Sequence, residues 1–139
     1  MNIWKAPIDG GTPVRVTDRS SEEPIVSPDQ KWILFSYWGE PERPTSGIAI
    51  IPFEGGAPVK RFEISNAHWG ADASTIQYVS RHNDIDNIWE QPVAGGPARQ
   101  VTHFDTGQIF SWRFSRDRKQ LAMSRGRITQ DVILIRNFK

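Results

Sequence analysis

Cysteine is absent from all 139 residues, which excludes disulfide staples, thiolate metal sites and thiol catalysis. No apolar run approaches the roughly 20 residues needed to cross a bilayer, so no membrane insertion by this chain is expected. A dominant charge is lacking too. The formal net charge is +1, too weak a field to point to nucleic acid. Arg113, Arg116, Arg118, Lys119, Arg125 and Arg127 face only Asp117 in their stretch and read as a solvated strand-and-turn surface. The opening Met1-Asn2-Ile3-Trp4-Lys5 has neither a charged n-region nor an apolar h-region, so no export signal is expected in it. Catalytic signatures are missing as well. There is no Gly-x-Ser-x-Gly elbow, no carboxylate pair at catalytic spacing, and no Gly loop leading into a helix to cradle phosphate. A non-enzyme without a cofactor is the expectation.

What the chain does contain is a repeat. Asn2-Ile3-Trp4-Lys5-Ala6-Pro7-Ile8-Asp9-Gly10-Gly11 returns as Asn87-Ile88-Trp89-Glu90-Gln91-Pro92-Val93-Ala94-Gly95-Gly96. A third copy, Gly47-Ile48-Ala49-Ile50-Ile51-Pro52-Phe53-Glu54-Gly55-Gly56, lies between them. The Gly pairs recur 45 and then 40 residues apart, the period of a four-stranded propeller blade. A second motif alternates with the first. Val26-Ser27-Pro28-Asp29, Trp69-Gly70-Ala71-Asp72 and Phe114-Ser115-Arg116-Asp117 each end a short apolar stretch at an aspartate. Beyond each aspartate come Ile33 and Phe35, Ile76 and Tyr78, or Leu121 and Met123, spaced by two and so on one face of a strand.

The turn residues carry a mechanism. The Gly-Gly pairs predict two-residue type I′ hairpins, where both central residues need φ > 0. Pro28 presets a turn, and Asp29, Asp72 and Asp117 are read as turn-makers that accept nearby backbone N–H groups. The expected fold class is therefore all-β: about three propeller blades of four antiparallel strands, forming an incomplete ring. Residues 1–20 would be the C–D hairpin of one blade, 21–63 and 64–104 full blades, and 105–139 strands A, B and C of the last. Within these, strands are predicted at 2–8, 13–17, 24–28, 32–37, 47–53, 58–62, 64–69, 75–80, 87–93, 98–102, 109–114, 120–125 and 130–136. Closed rings typically have about four to eight blades. The chain is thus expected to be a piece of a longer reading frame. Otherwise the N-terminal hairpin of one copy would finish the last blade of another by self-association.

The Ser-Pro-Asp turn alternating with a strand that ends in Pro-x-x-Gly-Gly resembles the TolB family of propeller repeats. Similar repeats occur in prolyl-oligopeptidase-like peptidases and in the sensor halves of bacterial receptor serine/threonine kinases. The stretch Ile109–Asp117 through Asp131–Ile135 looks most like the C-terminal blade of the kinase-linked group. Gln30, Ala73 and Arg118 stand where the family pattern usually has Gly, which points to altered turn geometry. The resemblance implies a non-catalytic module whose loops and central channel bind a protein or peptide partner. The alternative it implies is a sensor or accessory domain of such a kinase or peptidase. It also implies a periplasmic or extracytoplasmic setting.

Candidate side chains follow. Trp4, Trp69 and Trp89 hold repeat positions and are expected to pack between blades. Trp38 opens the long loop to Ser46; together with Glu40 and Arg43 it would suit a partner contact. His82 and Asp84, in the polar turn before Asn87, complete the candidate partner-binding set. Oxygen ligands at Asp84 and Asp86 could hold a hard cation, but the Gly and distal Glu of an EF-hand loop are missing, so no metal is expected. His68, beside Trp69 on a predicted inner strand, is expected to donate a hydrogen bond near the ring axis.

Overall fold

The computed structural model describes residues 1–39 and 46–129. The described chain is all-β, with twelve strands and no helix. These are β1 (Trp4–Lys5), β2 (Val14–Arg15), β3 (Ser21–Val26), β4 (Trp32–Tyr37), β5 (Gly47–Pro52) and β6 (Lys60–Phe62). Next come β7 (His68–Trp69), β8 (Thr75–His82), β9 (Ile85–Pro92), β10 (Arg99–Gln100), β11 (Gln108–Phe114) and β12 (Leu121–Gly126). They form four antiparallel sheets: β1–β2, β3–β4–β5–β6, β7–β8–β9–β10 and β11–β12. Consecutive strands pair, so every sheet is a meander. These open sheets are compatible with incomplete propeller blades. The third strand predicted at 130–136 lies outside the described residues.

The sheets stack face to face in chain order. β4 and β5 are apolar on both faces, and alternation divides their side chains between two cores. Ile33, Phe35, Tyr37, Ala49 and Ile51 meet Ile3 and Val16 of the first sheet. Leu34, Ile48 and Ile50 meet Ala67, Trp69 and Ile76 of the third. Ile88 then meets Ile109 and Trp112 of the fourth. Leu34 and Ile50 are each 1% exposed; burying such a side chain contributes roughly 1.5–3 kcal/mol. Trp69 also crosses the gap between sheets, its Nε1–H donating to the Ile25 carbonyl at 2.9 Å.

A polar clasp joins the last two sheets. Asp86, 1% exposed, takes Arg81 Nε at 2.7 Å and Arg81 Nη2 at 3.1 Å. It also accepts the Ile109 N–H at 2.8 Å, and its own N–H donates to the Gly107 carbonyl at 3.0 Å. The hydrogen bond from Arg81 holds the Asp86 carboxyl below its usual range, outweighing the opposing effect of burial.

The repeat reaches down to single hydrogen bonds. Ile3 N–H donates to Thr17 Oγ1 at 2.9 Å, and Ile88 N–H donates to Thr102 Oγ1 at 2.9 Å, both residues 85 positions further on. In the first aspartate turn, Ser27 Oγ donates to Asp29 at 2.5 Å and accepts the Trp32 N–H at 3.0 Å. In the third, Ser115 Oγ donates to Asp117 at 2.6 Å and accepts the Gln120 N–H at 3.0 Å. Gln30 and Arg118 both adopt φ of 61°, so the left-handed geometry survives without Gly. The middle turn differs. A side chain on Gly70 would collide with the Thr75 hydroxyl, which fills the space that serine occupies in the other two. Ser74 N–H donates to Asp72 at 2.9 Å, and Ala73 keeps negative φ.

Two expectations need correction. The Gly-Gly pairs do not form two-residue hairpins. Gly10, Gly55 and Gly95 N–H donate to Pro7, Pro52 and Pro92 carbonyls, closing β-turns through Ile8-Asp9, Phe53-Glu54 and Val93-Ala94. Both glycines of each pair then carry φ between 99° and 145° and swing the chain toward the next strand. The two-residue hairpin lies instead at Asn83-Asp84, with φ of 49° and 61° between β8 and β9. The second correction concerns Trp4. It is 59% exposed, because the sheet face carrying it has no described sheet packed over it, whereas Trp69 is buried and Trp89 half-buried.

Candidate functional site: a cleft on the inner strands

β3, β7 and β11 are the first strands of their sheets, and their residues converge on a cleft of about 380 Å³. Aligning the strands on Val26, Trp69 and Phe114 brings Glu23, Asn66 and Ser111 to one repeat position and Ile25, His68 and Arg113 to another. All six line the cleft, so two rows of the repeat have been given over to varied, mostly polar chemistry. The backbone is irregular at the first row. Glu23 and Asn66 carry φ of 54° and 51°, in the left-handed region. β3 shifts register between Glu22 and Ile25, and β11 shifts between Ile109 and Ser111. Such bulges re-aim side chains at sheet edges and near sites.

The second row holds a histidine–arginine contact. Arg113 Nη1 lies 2.6 Å from His68 Nε2 and 2.7 Å from the Trp112 carbonyl. A guanidinium only donates, so His68 Nε2 is the acceptor and the imidazole is the neutral Nδ1–H tautomer. The predicted donation by His68 is therefore reversed: its partner turned out to be a cation 45 residues away in sequence. Burial, and secondarily the Arg113 charge, pull the His68 pKa down to about 4, against a smaller opposing pull from Glu23. The ring also stands edge-on to Trp112, with centroids 4.7 Å apart and planes at 74°. Glu23 accepts Ser36 Oγ–H at 3.0 Å. Around these groups, Ile25 and Phe110 supply apolar wall, Phe110 being 49% exposed.

The basic stretch is solvated as its sequence implied, with Arg118 alone half-buried. Arg118 lies over Phe114 at 4.2 Å and Arg125 over Phe104 at 4.2 Å; Arg113, Arg116, Lys119, Arg125 and Arg127 are all exposed. Of the sequence-derived partner set, Trp38 is half-buried just beyond β4, with its N–H 3.5 Å from the Ser20 carbonyl. Glu40 and Arg43 lie outside the described residues. His82 and Asp84 are exposed at the β8–β9 hairpin, on a different sheet from Trp38. Asp86 turns into the clasp with Arg81 rather than joining Asp84. Among the described residues, no three His, Asp or Glu side chains come together to hold a cation. Glu23, Asn66, Ser111 and Arg113 were not singled out as partner contacts from sequence. Lining up the first strands of the three sheets residue by residue carries the signal that would have found them.

No protein-family model matches the chain, and no curated protein matches it.

Proposed function

We propose that this chain is a run of TolB-type propeller blades whose inner strands form a non-catalytic binding surface for a protein or peptide. The stacked four-stranded meanders, the 40- and 45-residue repeat and the matched hydrogen bonds in its first and last copies support the propeller part. One observation carries the binding part. Repeat-equivalent positions on three inner strands converge on a single cleft of mixed apolar and polar lining, the usual character of a recognition site. One hydroxyl–carboxylate pair in it shares a hydrogen bond, Ser36 with Glu23, and no third group orients the carboxylate among the described residues. The test is a random dodecapeptide selection on the immobilised chain, followed by amide chemical-shift mapping of an enriched peptide. Shifts centred on Glu23, Asn66, His68 and Ser111 are expected. Binders that map only to the outer strands, or none at millimolar affinity, refute the reading.

The two half-sheets favour a second property, self-association. Among the described residues, β1–β2 repeats β9–β10 in sequence and hydrogen bonding and β11–β12 matches β7–β8, so the N-terminal hairpin of one copy supplies strands of the kind that complete the last sheet of another. Exposed strand edges of this kind pair readily. Light scattering coupled to size exclusion should show a defined multimer; a monomer at all concentrations refutes it.

A further inference from the structure

We infer that Arg113 marks a carboxylate-binding subsite in the inner-strand cleft, and that the partner is an acidic peptide segment. The inference rests on the reading of the cleft as a peptide surface and adds the chemistry that surface selects. A guanidinium carries five N–H donors in a planar fork. Nη1 is directed to His68 and to the Trp112 carbonyl, and these two bonds fix the plane of the group. Nε and Nη2 have no hydrogen bond among the described residues, and no described carboxylate lies within ion-pair distance. Arg81 and Arg99 differ in this respect, since each is paired with an acidic side chain of its own sheet. Arg113 is thus a pre-oriented cation without a counter-ion.

Its surroundings add donors and one carboxylate, Glu23. His68 is neutral through its bond to Arg113, so it does not compete for an anion, and its Nδ1–H has no described acceptor. The Asn66 amide and Ser111 hydroxyl line the same cleft, also without hydrogen bonds among the described residues. Trp112, on the cleft wall and 4% exposed, keeps its indole N–H buried without an acceptor. Donors therefore outnumber acceptors, and an occupant must bring oxygen atoms. Charge complementarity sets the class. One guanidinium without a carboxylate partner among the described residues accommodates a monoanion held by two parallel N–H···O bonds, whereas Glu23 on the same lining repels a dianionic phosphate more strongly. Ile25 and Phe110 provide apolar wall for the stem and backbone of an extended segment.

The test uses the 139-residue chain and two fluorescein-labelled decapeptides, one alternating Gly with Glu and the other Gly with Gln, read by anisotropy. The Glu peptide is expected to bind about tenfold or more tighter, the scale of a charge-assisted pair. Arg113→Gln should abolish that preference, bringing the Glu peptide's affinity down to that of the Gln peptide. Arg113→Lys, which retains charge but loses the fork, should restore only part of it. An unchanged urea midpoint in both variants ties the loss to the site. Equal binding of the two peptides by the parent chain, or a preference that survives Arg113→Gln, overturns the carboxylate assignment and leaves the peptide surface standing. Binding of neither removes both readings. Inorganic phosphate displacing the Glu peptide at lower concentration than acetate overturns the assignment in favour of a phosphate site.

Discussion

Replacing Asp86 by alanine tests whether the clasp between the third and fourth sheets is a stabilising element. The native carboxylate makes two bonds to Arg81 and one to the Ile109 N–H, and it is 1% exposed. Ile109 is itself 7% exposed, so alanine strands its N–H away from water at about 1–3 kcal/mol. The Arg81 contribution is smaller than for a fully buried pair. Its side chain is 53% exposed and regains water when the carboxylate is removed, which limits that part to roughly 0–1 kcal/mol. Together the loss should be about 1–4 kcal/mol. With a urea m-value of about 1–3 kcal/mol per molar, the midpoint should fall by roughly 1 M. Asp86→Asn keeps an oxygen for the Ile109 N–H and should lose only about half as much. The sign of the pH dependence follows from the depressed carboxyl. Its contribution is present above the ordinary aspartate range and fades as pH falls through the lowered folded value, so the parent chain and Asp86→Asn should converge in acid. Urea unfolding and amide exchange at Ile109 read both effects. Loss below about 0.5 kcal/mol for alanine, or an Ile109 amide that stays protected, would refute the reasoning.

Gln30→Gly should stabilise by about 0.5–1 kcal/mol, because glycine adopts the φ of 61° without the steric cost borne by glutamine. Arg118→Gly should yield less, since it also removes the stacking on Phe114; calorimetry of the pair separates the two effects. Gly47→Ala should destabilise by about 1–3 kcal/mol, because a Cβ there runs into the Phe62 carbonyl oxygen and sits 3.1 Å from the Tyr37 hydroxyl. Loss of β5–β6 amide protection would accompany it. Between pH 6.5 and about 4 the unfolded chain takes up a proton that folded His68 resists, so stability should fall as pH drops through that window. His68→Gln keeps an acceptor for Arg113 and should flatten this part of the urea-midpoint profile; an unchanged slope would rule His68 out as its source.

Much of the fold was legible because its signals are local. The strand predicted at 32–37 is Trp32–Tyr37, and those at 47–53, 109–114 and 120–125 agree with the observed strands to within a residue at each end. The aspartate turns were legible for the same reason: Ser27, Asp29, Ser115 and Asp117 bond to groups only two to five residues away. The Gly-Gly hairpin type was misjudged because φ > 0 at two glycines does not specify which carbonyl closes the turn; Pro7, Pro52 and Pro92 do so. The cleft was least legible. Its rows are drawn from strands about 43 residues apart, and nothing local to Arg113 distinguishes it from Arg116.

By itself, the sequence determined that the chain is all-β, where most strands run, and which residues turn it, since alternation and short-range side-chain-to-backbone bonds act within a few residues. Tertiary structure decided which faces are covered and which polar groups meet. Trp4 and Trp69 are the same residue type at apolar-patterned strand positions, yet only Trp69 has a neighbouring sheet to bury it. His68 accepts rather than donates because stacking the fourth sheet on the third brings Arg113 against it. Burial and partner choice are properties of the assembled stack, where residues distant in sequence share one low-dielectric space.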